Sequence, residues 1–163
     1  MTVQVLVIVD SFAQDPATYM DELNSSLTAV LSKTSVTMFA SACYALLDYE
    51  SGVVSITSAG HDSPLLQFKE GEEDESVVQI EKDPALGLFS DAVYHVTEYD
   101  LGSIEKMMLY TDGVYEAPDN YGDDWGREKL EKCFRNSSGK SIKETQSNIY
   151  NKALDWTDGQ GFL

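Results

Sequence analysis

Between Val36 and Gly113 the chain is written as short apolar runs cut apart by turn residues, a pattern that leaves few folds open to it. "VTMFASACYALLD" stops at "YESG", and "VVSITSAG", "PLLQFKE", the acidic stretch "GEEDES" and "VVQIEK" follow; "AVYHVTEYD" and "KMMLYTDG" complete the series. Runs this short, punctuated by Gly, Asp and Ser, predict about six strands in antiparallel sheet rather than strands alternating with helices. That counts against a reading of "VLVIVDS" as the first strand of a doubly wound, receiver-like domain with Asp10 in an acidic metal pocket, because such a domain needs strands alternating with helices.

Helices flank this block on both sides. Asp15-Pro16 places a capping side chain before a proline suited to the first helical position, and Met20, Leu23, Leu27, Val30 and Leu31 follow at helical spacing, which predicts a helix over 16–32. Ser141 with Glu144 forms a capping box for a helix whose Ile142, Ile149, Ala153 and Trp156 share a face, and Leu130 with Phe134 marks a shorter helix before it. The organisation is a helix over 16–32, strands over 36–113 and C-terminal helices over 126–158, an α+β domain. At 163 residues, 42% of them apolar, with nine Tyr and six Phe, the chain suits a single domain with a packed core.

Charge limits the partners. The 28 acidic against 11 basic residues leave a formal charge of −17, a surface that a phosphate backbone or an anionic membrane repels. No nucleic acid and no membrane are therefore expected; the acid excess fits divalent cations or a basic protein, with most of these charges serving as solvated surface. Cys43 and Cys133 lie ninety positions apart and match no zinc or redox spacing, which suits a reducing, cytoplasmic setting. The N-terminal "VQVLVIV" falls far short of the roughly twenty residues a membrane helix needs, and it lacks the flanks of a signal. Its valines favour strand, although an unbroken apolar run of this length also suits a buried helix.

"KMMLYTDGVYEA" (106–117) carries an apolar run into Asp112-Gly113, and by itself reads as a buried strand ending in a plain turn. Four stretches change that reading. "LLDYESGVVSITSAGHDSPLL" (46–66), "ALGLF" (85–89), "LYTDGVYEA" (109–117) and "NYGDDWGREKL" (120–130), in this order, resemble the stage II sporulation protein E type phosphatases, a branch of the metal-dependent (PPM) protein phosphatases. The helix containing "ELNSSL" (22–27) sits where that family has a Leu-Asn pair, so the resemblance covers nearly the whole chain.

The resemblance implies a sandwich of two antiparallel sheets flanked by helices. It also implies two Mn2+ or Mg2+ ions that activate a water for attack on phosphoserine or phosphothreonine in a protein substrate. Hard divalent ions want oxygen ligands, and a metal-bound water is a usable nucleophile near neutral pH. The substrates so implied are phosphorylated regulators such as anti-sigma-factor antagonists, and an upstream sensory or receiver domain is a common companion. Residue by residue, Asp112 matches a metal-ligand aspartate, and Gly113 is expected to let the chain turn so that this carboxylate faces the ions. Glu116 matches a recurring glutamate, read as a structural hydrogen-bonding group as much as a metal contact. His61, in "SAGHDSP", is expected to pack and hydrogen-bond at the strand junction, with Gly60 and Pro64 as turn residues.

This sequence also departs from the family pattern. The family's first metal motif, an aspartate shortly before Gly-His-Gly, has no counterpart before Phe12, and its last metal aspartate belongs to a strand that would follow Leu163. Ser58 replaces a usual asparagine, and Ile104-Glu105 a usual Gly-Asp. The chain thus resembles the larger part of such a domain without its first and last strands, and a lone Asp112 is expected to hold metal weakly or not at all. "VQVLVIVDSF" falls where the family runs a helix, which predicts helix over 2–13.

The alternative is a catalytically inactive phosphatase-fold module that binds or regulates the same partner. "DNYGDDWGREKLE" also invites a calcium-loop reading, but with Asp119 in position one, Asp124 stands where the loop needs glycine and Leu130 where it needs glutamate. Asp119, Asp123 and Asp124 are better read as a solvated acidic turn.

Overall fold

The computed structural model describes residues 15–33, 37–69, 80 and 82–159. Its elements are the helices α1 (Pro16–Leu31), α2 (Arg127–Arg135) and α3 (Ile142–Trp156), and the strands β1 (Ala42–Asp48), β2 (Val53–Ala59), β3 (Leu65–Phe68), β4 (Thr97–Asp100) and β5 (Ile104–Met108). The chain divides into two compact units, Met1–Ser63 with Ile80–Gly102, and Pro64–Gln79 with Ser103–Leu163.

The first unit is built on a three-stranded antiparallel sheet of order β1-β2-β4. Ala42 stands opposite Ala59 and Asp48 opposite Val53, while Val53 to Ile56 of β2 face Asp100 to Thr97 of β4. β2 is central and buried from Val54 to Ala59, polar side chains included. α1 starts where Asp15 predicts: Oδ1 accepts the Ala17 N–H at 3.1 Å and Oδ2 the Thr18 hydroxyl at 2.6 Å. The Thr18 hydroxyl is the main reason the Asp15 carboxyl titrates below its ordinary range. Met20 of α1 is buried with Ala59, Leu86 and Tyr94, and the Tyr19 and Tyr44 rings stack 5.2 Å apart.

In the second unit β3 pairs antiparallel with β5, Leu65 opposite Met108 and Phe68 opposite Ile104, with an irregularity between Gln67 and Phe68. α2 and α3 pack with β3 around Leu65, Trp125, Leu130, Phe134, Ile149 and Ala153. The capping box of α3 is complete: the Glu144 N–H donates to Ser141 Oγ at 3.2 Å, and the Ser141 N–H to Glu144 Oε2 at 2.9 Å. Lys129 Nζ lies 3.4 Å from the centre of the Trp156 ring, a cation–π contact that ties α2 to the end of α3.

The two antiparallel sheets and the three described helices agree with the sequence reading; several boundaries and one side chain do not. "VTMFASACYALLD" gives a strand only from Ala42. Before it, Ala40 exchanges two backbone hydrogen bonds with Leu86, at 3.0 and 2.9 Å, as an isolated bridge. "AVYHVTEYD" is strand only over Thr97–Asp100, because the His95 N–H goes to Asp83 Oδ2 at 2.7 Å instead of a neighbouring strand. β5 begins at Ile104 and ends at Met108, short of the expected Tyr110. Ile142 leaves the apolar face assigned to it and is 78% exposed, since it occupies the first helical position while the buried stripe starts at Thr145. The helix expected over 2–13 and the "GEEDES" connection lie outside the described residues, as does most of "VVQIEK".

Candidate functional site

Asp112 stands just beyond β5 in a short 3-10 turn, Asp112–Val114. The turn closes through backbone bonds from Val114 N–H to the Thr111 carbonyl at 3.1 Å, and from the Tyr115 and Glu116 N–H groups to the Asp112 carbonyl at 2.9 and 2.8 Å. Tyr110, buried immediately before it, anchors the segment against the core of this unit, with its ring 6.1 Å from that of Tyr115. The Asp112 side chain is exposed, with Oδ1 accepting the Gly113 N–H at 2.9 Å. Burial behind and a hydrogen-bonded turn ahead thus hold a carboxylate outward at the strand end.

Gly113 lies inside the turn that follows β5, but its backbone does not require glycine. It is not among the positive-φ glycines, and a Cβ there would meet only Thr111 Oγ1 at 3.8 Å, so the 3-10 turn can form with another residue in this place. Glu116 contributes its backbone N–H to the turn, and its side chain is exposed.

Gly60 and His61 belong to the other unit. Gly60 has φ +65, and a Cβ there would stand 2.8 Å from the Ala85 Cβ, so both conformation and space demand glycine. Its N–H donates to the Asp83 carbonyl at 2.8 Å, and the Asp83 N–H to the Ser58 carbonyl at 3.0 Å. The fully buried Ser58 hydroxyl holds the His61 carbonyl at 2.7 Å. His61 Nδ1 lies 2.9 Å from the Asp62 carbonyl, and since a carbonyl only accepts, this nitrogen carries the proton. Asp62 is paired with Lys82, and Pro64 is buried.

Asn24, in the sequence only a marker of the family resemblance, has a structural role in this unit. Asn24, 1% exposed in α1, accepts the Gly87 N–H on Oδ1 at 2.7 Å and donates from Nδ2 to the Phe89 carbonyl at 2.9 Å. It pins "ALGLF" to the helix. Gly87, with φ +81, has the Leu31 Cδ1 2.8 Å from where its Cβ would be. A buried amide in an otherwise aliphatic helical stripe is the signal for such a role.

Residues 1–162 match the family Stage II sporulation protein E (SpoIIE). The chain belongs to that family. A solved bacterial serine phosphatase, a variant in which one arginine is replaced by alanine, superposes with a TM-score of 0.61 at 12% identity, over 95% of this chain and 66% of that one. At such identity the likeness establishes the fold, a phosphatase fold of antiparallel sheets and helices. No curated protein matches the sequence. Family and fold together make this a SpoIIE-family domain with the fold of a serine phosphatase, and the chain spans just under two thirds of that neighbour's length.

The metal ions that such phosphatases use require more than the described residues offer. Among these, no three His, Cys, Asp or Glu side chains come together in a way that could hold an ion. Asp112, with one oxygen turned back to Gly113, does not by itself fit an ion that wants six oxygens. The acidic turn after it does not fit either. Asp119 Oδ1 is committed to the Tyr121 and Asp123 N–H groups at 2.8 and 2.9 Å, which makes it the brace of a tight turn. Among the described residues no helix is long and apolar enough to cross a membrane.

Proposed function

We propose that this chain carries a protein serine/threonine phosphatase domain. On this reading it acts in the bacterial cytoplasm on a phosphorylated regulatory protein, such as an anti-sigma-factor antagonist. In the intact domain Asp112 would be one ligand to Mn2+ or Mg2+ ions, and this chain alone is expected to bind them weakly or not at all. The observation that supports this reading most strongly is the placement of Asp112, a carboxylate held outward at the end of β5 by a hydrogen-bonded turn, in a chain of the SpoIIE family. Net charge −17 suits a basic protein partner and disfavours nucleic acid.

The test is a manganese titration, followed by calorimetry and by hydrolysis of a phosphoserine peptide. It uses this chain beside a form extended at both ends, each with and without Asp112→Asn. The reading expects metal-dependent hydrolysis by the extended form and its loss in the Asp112→Asn variant. Hydrolysis that survives Asp112→Asn overturns the assignment of Asp112. Absence of hydrolysis from every form, with retained phosphoprotein binding, assigns the domain instead to regulation without catalysis.

A further inference from the structure

No further inference is drawn: the strongest candidate, the apolar groove of about 480 Å3 between β5 and the first turns of α3, lined by Met107, Leu109, Ile142, Thr145 and Ile149, is an unpartnered face, and nothing in the structure shows what covers it.

Discussion

Asn24 Oδ1 accepts the Gly87 N–H at 2.7 Å across 63 residues of sequence, while the same amide donates to the Phe89 carbonyl at 2.9 Å. Donor and acceptor of one buried side chain thus satisfy both ends of a three-residue loop. Asn24→Ala leaves two backbone groups without that partner beside a buried site, at a cost of about 2–3 kcal/mol. Asn24→Asp keeps the acceptor for Gly87 but buries a charge and loses the donor to Phe89, so it is expected to be no better tolerated at pH 7. Urea unfolding measures both. A loss below about 0.5 kcal/mol for either variant would show that the loop does not depend on the amide.

The two glycines singled out in the sequence separate in the same assay. Gly60→Ala must place a methyl 2.8 Å from the Ala85 Cβ at φ +65, and is expected to lose about 2–4 kcal/mol through overpacking and backbone strain. Gly113→Ala meets nothing closer than 3.8 Å in its turn, and is expected to stay within about 0.5 kcal/mol of the parent. Gly113→Ala also divides structure from activity: lost hydrolysis with unchanged stability would locate the need for this glycine in the reaction. A large stability loss at Gly113 would contradict the turn described for it.

These contrasts mark what the sequence made legible. The β1–β2 hairpin, the Asp15 cap and the Ser141–Glu144 box depend on residues within a few positions of one another, so local spacing revealed them. β4 is shorter than its apolar pattern predicts because the His95 N–H goes to Asp83, twelve positions away, and a strand pattern does not encode such a competitor. Ile142 lies one turn before the buried stripe begins, a boundary that helical periodicity does not report. Asn24 was visible only as a family marker, since its partners lie 63 and 65 positions on. Asp112 was legible as a residue type at a strand end; the ligands that would complete a metal site are a matter of long-range assembly, which spacing does not report.

Cys43, half-buried in β1, has its thiol pushed up to about 11 by burial. Against the unburied thiol value of 9.0, its thiolate fraction at pH 7.5 is about 100-fold lower. In a Cys133→Ala background, Cys43 is expected to react with a disulfide reagent at least about a hundredfold more slowly in the folded protein than in guanidinium. Labelling at the rate of a free thiol would mean that β1 opens readily.

Glu105 supplies the pH dependence. Burial raises the carboxyl, but hydrogen bonds from the Gly139 N–H, Lys106 and Ser138 outweigh it, and the net effect is a titration below the ordinary range. The Gly139 N–H lies at 2.8 Å, the Ser138 hydroxyl at 2.9 Å and Lys106 Nζ at 3.0 Å, which tie the start of β5 to the turn after α2. A carboxyl depressed in the folded state contributes stability above the ordinary glutamate value near 4.3, and loses it as pH falls through the folded value. Glu105→Gln is therefore expected to cost about 1–2 kcal/mol at pH 7 and progressively less as the pH falls below about 4.3 and the depressed carboxyl takes up its proton. Asp15, Asp48 and Glu144 are also depressed, each chiefly by a side-chain hydroxyl, so both proteins weaken in acid; the difference between them isolates Glu105. Urea midpoints at pH 7, 4.5 and 3 measure that difference, and a gap that stays constant across the series would remove Glu105 from the acid response.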